Sequence, residues 1–263
     1  MKVKKMMVMA WLCLVVIASS CSKKDPQLVL KSAASSCAID MRKEEATLSG
    51  IVAAKYLWPN NPNGPIVLRV KFLKGGSDYL RAKVKQYAKE WEKYANFLFE
   101  FVTSDTPAEI RISFDQEIKT YVWMIGTYLL DLADDDRYNM HFAGLSDSSS
   151  EEEIAGAVLH EFGHVMGLMH EQYHPKAKWD KDYIYTHYKD DRDWSPAEVD
   201  ENIFGYKVPE PIYSKRYDPE SVMHYRYPGK FIVNGKRRLG GNKLSEGDKK
   251  FIQRLYPKPK RVQ

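Results

Sequence analysis

The period of apolar and polar residues changes several times along the 263-residue chain. Residues 6–17 are an unbroken apolar run behind a basic start (Lys2, Lys4, Lys5), too short to span a bilayer as a mature helix. Residues 22–54 are polar and small, which predicts a tether with a short helix near residues 42–47. Strict alternation then sets in: Ile66, Leu68, Val70 and Phe72 interleave with Val67, Arg69 and Lys71, the signature of a strand. Gly75-Gly76 turns the chain, and Ser77 or Asp78 caps a helix to about Tyr94. Its stripe is Leu80, Val84, Tyr87, Ala88, Trp91 and Tyr94. Strands are expected near 98–102 and at 109–114, where Ile110, Ile112 and Phe114 alternate. The β-α-β order predicts a parallel pair with a right-handed crossover. Residues 139–144 read as one more strand. Ser195-Pro196 opens a helix to about Phe204, with the hydroxyl at the cap and proline at the first turn. Ser245 with Asp248 opens the last helix, which contains Phe251, Ile252 and Leu255.

The chemistry lies in a helix between these parts. Ser149/Glu152 and Ser150/Glu153 both have capping-box spacing, and the acidic first turn suits the helix dipole. Ile154, Ala157, Val158, Phe162 and Val165 then give an apolar face of helical period. On this helix the chain reads H-E-x-x-H-x-x-G-x-x-H from His160 to His170. Residues four apart share a face, so His160 and His164 can bind one metal ion. Gly167 reaches positive φ at little cost, which lets the chain turn and bring His170 to the same ion. Three protein ligands leave a position open for water, the arrangement of a catalytic rather than a structural Zn2+. Glu161, one position round from His160, is placed to act on that water without ligating the metal. Composition alone would produce the full pattern by chance in about one chain in fifty thousand.

The long motif marks the metzincin group of metallopeptidases. Ser221-Val222-Met223-His224-Tyr225 resembles that group's methionine turn, and the glutamate after the third histidine, Glu171, narrows the resemblance to the astacin family. The likeness runs from about Lys55 to Pro257 and is stronger from Asn139 onward. It implies an α+β fold: an N-terminal twisted mixed sheet with two long helices, an irregular C-terminal lobe with a terminal helix, and an active-site cleft between them. It also implies that Met223 forms an apolar floor under the imidazoles and that His224 is no ligand. Glu171 helps hold the trimmed N-terminus of the mature enzyme in that family. Tyr225 acts there as a catalytic residue, approaching the metal at rest and donating to the oxyanion later. The other reading of Tyr225 is a buried tyrosine with a structural hydroxyl partner. Metzincins bind substrate as a strand added to a sheet edge, a role expected of residues 139–144.

Length, charge and cysteines set the remaining bounds. The apolar share of 44% and charged share of 29% are ordinary globular values, and about 200 residues suffice for one domain of two lobes. Three of the 40 basic residues lie in the leader, so the rest nearly balance the 35 acidic ones. That balance gives no case for nucleic acid or for electrostatic membrane binding. Ala18-Ser19-Ser20-Cys21 resembles a bacterial lipoprotein box, the alternative being an ordinary secretory peptide cleaved nearby. The expected organisation is therefore a signal peptide over 1–20, lipidated Cys21 and a tether over 21–54, and a catalytic domain over 55–263. Cys13, Cys21 and Cys37 cannot form the disulfide framework of animal astacins; Cys37 reads as an unpaired tether thiol. The resulting expectation is an extracytoplasmic, membrane-anchored zinc endopeptidase, a monomer, cleaving protein or peptide substrates through a zinc-bound water activated by Glu161. The alternative is a surface binding lipoprotein that keeps the fold without turnover.

Overall fold

The computed structural model describes residues 50–117, 125–131, 137–204, 211–235 and 239–259. The signal peptide, Cys21, Cys37, the helix expected at 42–47 and most of the tether lie outside the described residues, as do residues 121–124.

The alternating segment forms strand β2 (Ile66–Lys74), preceded by a short strand β1 (Ile51–Ala53). Gly75 and Gly76 adopt φ of 70° and 72°, and a side chain on Gly76 would run into the Phe114 ring. Helix α1 (Asp78–Glu92) starts on Ser77, whose hydroxyl accepts from the Leu80 amide at 3.2 Å, and it buries Leu80, Val84, Ala88 and Trp91. Strand β3 (Phe97–Phe101) returns parallel to β2, with Ile66 opposite Phe97. Strands β4 (Ile110–Ser113) and β5 (Met140–His141) extend the sheet on the other side of β2, in the order β3-β2-β4-β5. All pairings described in this sheet are parallel. Antiparallel pairing sits apart, between β1 and β6 (Pro211–Tyr213). Strand β5 is two residues long where six were expected, and it ends the described sheet.

Helix α2 (Glu151–Val165) carries the histidine motif and packs on α1 and the sheet. The Trp91 indole donates to the Leu159 carbonyl at 3.0 Å, and Phe99 meets Phe162 edge-on at 4.9 Å. Helix α5 (Glu246–Leu255) closes the same core with Phe251, Ile252 and Leu255. Just after it, the Tyr256 hydroxyl donates to the Met166 carbonyl at 2.8 Å, tying the chain's end to the end of α2.

A second cluster joins Ile184 and Tyr188 of α3 (Lys181–Arg192) to Val199 of α4 (Pro196–Val199), Ile203 and Phe231. The predicted helix at 196–204 is present, beginning as α4 and continuing as a wider turn over residues 200–204. Helix α3 was not predicted, although Asp180 caps it by accepting from the Tyr183 amide and Ile184 and Tyr188 are one turn apart.

One boundary of the sequence reading moves. Residues 51–53, placed at the end of the tether, are buried and hydrogen-bonded. Ile51 accepts from the Met169 amide at 2.9 Å, and Val52 bridges Leu168, so this strand lies against the segment that leads to His170. A three-residue strand with small neighbours offers no period to read. Ile51→Ala should therefore lower stability by about 2–5 kcal/mol in urea unfolding, as for a core residue. A change within about 0.5 kcal/mol would return residue 51 to the linker.

Candidate metal centre and cleft

The geometry of the site begins at the cap of α2. Ser150 and Glu153 form a reciprocal capping box: the Ser150 hydroxyl accepts from the Glu153 amide, and the Glu153 carboxylate accepts from the Ser150 amide at 2.9 Å. With its start fixed, the helix carries His160 and His164 on one face. It stops at Gly167, whose φ is 90°; the Leu168 amide closes back on the Gly163 carbonyl at 3.0 Å, a glycine-terminated helix end. The reversal delivers His170.

The three Nε2 atoms form an equilateral triangle with each side 3.1 Å. A zinc ion about 2.05 Å from each nitrogen of a tetrahedral site would space them about 3.3 Å apart, so the donor set fits such an ion. Two rings are also held in the correct tautomer. His160 Nδ1–H donates to the Val222 carbonyl at 2.8 Å, and His164 Nδ1–H donates to the Leu168 carbonyl at 2.8 Å. A carbonyl only accepts, so the proton stays on Nδ1 and the Nε2 lone pair faces the centre. Burial keeps the rings neutral, lowering His160 to about 4 and His164 to about 3, and His170 well below its usual value.

The triangle opens into a cavity of about 550 Å³ whose walls include Glu161, His141, Tyr225 and Arg226. Burial lifts the half-buried Glu161 carboxyl to about 7. The Tyr225 ring lies 4.3 Å from that of His170 and 5.8 Å from that of His160, centre to centre. His141 also lines the cavity, with Nε2 bonded to the Asp115 carbonyl at 2.7 Å. His224 does not join the cluster: it is held between the Tyr217 hydroxyl at 2.8 Å and the Tyr225 carbonyl at 2.7 Å. His174 is bonded to the Ser214 carbonyl, and His187 packs among aromatic rings; both are structural.

The turn at 221–225 is suspended from two buried acids. Asp248 accepts from the Ser221 hydroxyl at 2.6 Å, the Val222 amide at 2.9 Å and the Ser245 amide at 2.9 Å. Burial raises its carboxyl to about 6, against the pull of these donors. Glu171, also buried, accepts from the Asp218 amide at 2.8 Å, while its own amide donates to the Met223 carbonyl. Met223 reaches under the helix because residue 163 is glycine: a Cβ there would lie 2.2 Å from its sulfur. Gln172, which the sequence reading passed over, accepts from the Tyr225 amide at 3.1 Å.

No family model and no curated protein matches the chain. Among solved structures, one of myroilysin shares 37% identity over 80% of this chain and 99% of that chain, with a TM-score of 0.67. The chain belongs to the astacin family of zinc metallopeptidases. A second myroilysin structure shares 38% identity over 77% of this chain and 86% of that one, with a TM-score of 0.55. High choriolytic enzyme 1, a hatching enzyme zinc-protease from the medaka fish Oryzias latipes, covers 78% of this chain and 96% of its own at 17% identity, with a TM-score of 0.46. The astacin reading assigns one zinc per chain, and His160, His164 and His170 are the cluster that could hold it.

Because the ion binds the folded chain and its ligands are 4 to 6 residues apart across a helix end, metal and fold are linked. Purified protein should contain about one zinc per chain, and chelation should lower the melting temperature. His164→Ala should bring the zinc content close to zero. Full zinc content in that variant, measured by atomic absorption, would place the metal elsewhere.

Proposed function

We propose that the protein is an extracytoplasmic, lipid-anchored endopeptidase in which His160, His164 and His170 hold zinc, Glu161 is the general base and acid, and Tyr225 is the oxyanion donor. The observation that carries this reading is the triangle of 3.1 Å between the three Nε2 atoms, with Glu161 and Tyr225 on the walls of the same cavity. Zinc bound there supplies Lewis acidity towards a scissile carbonyl and makes a water more acidic.

The chain's own groups do the remainder. The Glu161 carboxylate takes a proton from water and returns it to the leaving amine, one group serving as base and then acid. Its raised affinity for protons, due to burial, suits both steps. Val222 and Leu168 keep His160 and His164 from rotating as charge develops. The Tyr225 phenol, whose ring packs on that of His170, would donate a hydrogen bond to the oxyanion, and Met223 would form the apolar floor. The substrate class implied by the family is peptide or protein.

The location rests on the leader. Cys21 is proposed as the lipidated first residue, with residues 22–49 as the tether to the folded domain. Among the described residues no helix is long and apolar enough to cross a membrane.

Three variants test these roles. Glu161→Ala should keep its zinc and lose nearly all cleavage of a casein substrate; wild-type rates in that variant would remove the assigned base. Tyr225→Phe should keep zinc content and melting temperature while kcat falls by about a hundredfold with little change in KM, as expected of a donor used only in the transition state. An unchanged kcat would leave the phenol a structural role only. Wild-type protein should partition into detergent and sediment with membranes, and Cys21→Ser should abolish this without loss of peptidase activity. A wholly soluble, unlipidated wild type would overturn the anchor.

A further inference from the structure

The turn at 221–225 lies outside regular structure, so its main chain must be held by side chains. The Tyr225 amide donates to Oε1 of Gln172 at 3.1 Å. Gln172 is 2% exposed and lies two residues beyond His170. Methionine has the same length without the polar atoms, so packing alone gives no reason for an amide at this depth; the bond it makes does. The Gln172 carbonyl in turn accepts from the Trp179 indole at 3.2 Å, which fixes this segment from the second lobe.

The other polar group of the same main chain, the Tyr225 carbonyl, accepts from His224 Nδ1–H at 2.7 Å. A carbonyl only accepts, so the proton stays on Nδ1, and Nε2 accepts from the Tyr217 hydroxyl at 2.8 Å. His224 is as deeply buried as Gln172, and burial lowers its pKa to about 4, which keeps the ring neutral. Gly240 closes the arrangement. Its φ is 80°, and a Cβ there would lie 2.5 Å from the His224 carbonyl oxygen and 2.9 Å from that of Tyr225. The Tyr225 ring, by contrast, forms part of the cavity wall, with Tyr227 edge-on at 6.0 Å. The phenol oxygen is at the far end of a long side chain. A small tilt of the main chain therefore moves it by about 1 Å, which can cost on the order of a hundredfold in rate.

We propose that Gln172 and His224 are positioning residues, clamping the main chain of Tyr225 so that its phenol reaches one place in the cavity. Each acts through Tyr225 rather than on the reacting atoms. The proposal rests on the reading of Tyr225 as oxyanion donor and deepens it by naming what aims the donor.

The test is a double-mutant cycle on zinc-loaded full-length protein with a quenched fluorescent peptide. Gln172→Met keeps the side chain's length and removes the acceptor. It should lower kcat by about tenfold, the scale of one buried hydrogen bond, with KM changed by less than about twofold. In a Tyr225→Phe background the same substitution should lower kcat by no more than about twofold, because no phenol is left to aim. His224→Asn, whose amide nitrogen can stand where Nδ1 does, should keep kcat within about threefold of wild type, whereas His224→Leu should lose about tenfold. Amide exchange over residues 221–227, followed by mass spectrometry, should quicken in Gln172→Met and His224→Leu, with or without zinc. A residue that only packs would act on zinc content and melting temperature, and would lower kcat equally in both backgrounds. That result, or wild-type kcat in both Gln172→Met and His224→Leu, would overturn the proposal. Should Gln172→Met fail to fold, the His224 pair decides, and equal loss in Asn and Leu would count against the clamp. A wild type unable to cleave the peptide would instead remove the peptidase reading, and wild-type kcat in Tyr225→Phe would remove the donor. The clamp is then judged by exchange, and unchanged exchange in both variants would overturn it.

Discussion

The structure is organised around a requirement for three imidazole nitrogens within 3.1 Å of one another, all kept neutral by burial and two of them held with their lone pairs turned inward. No helix can meet it alone, because the next residue on the same face lies about 11 Å from the first along the axis, so the third nitrogen must come from beyond the helix end. Gly167 supplies the reversal. The carbonyl that orients His164 belongs to Leu168, immediately after it, so the same few atoms end the helix, fix His164 and lead to His170. Burial then removes the competing charged form of each ring.

The second lobe enters through Val222, whose carbonyl holds His160. Val222 is itself fixed by Asp248, which caps α5 while bonding the Ser221 hydroxyl and the Val222 amide. A single buried carboxylate thereby links helix α5, the turn at 221–225 and His160. An isolated carboxylate at that depth would be costly; three donors share its charge. This arrangement takes the place of covalent cross-links, since the folded domain has no cysteine.

Much of this was legible in the sequence where one physical signal dominated. Helices α1, α2 and α5 carry both a capping hydroxyl and an apolar stripe, and β2 alternates cleanly; each appeared near its predicted place. The histidine cluster was legible because its spacing is itself the geometry. Strands β1 and β6 were not, being three residues long and paired with each other across more than a hundred residues, and β5 was legible only as a longer strand than the two residues that pair. Helix α3 was missed because its apolar face is narrow, Ile184 and Tyr188 among charged neighbours. Asp248 could be read as a cap and no more, since its second set of donors arrives from a distant loop. The glycines of α2 gave the opposite difficulty: in sequence they only weaken a helix, and their reason lies in Met223 and Arg226, which approach from another part of the chain.

Gly156 and Gly163 also bear on the order in which the site can come into being. Two glycines in fifteen residues cost α2 about 1–2 kcal/mol of intrinsic helicity, so the segment persists as a helix only when held by neighbours. Those neighbours include Met223 and Arg226, which come later in the chain than the helix they support. A nascent chain that has completed the histidine motif therefore lacks the pieces that straighten its helix and orient His160. The cluster as it stands here is therefore complete only once residues 222–226 have joined the helix, and a partly folded molecule lacks it.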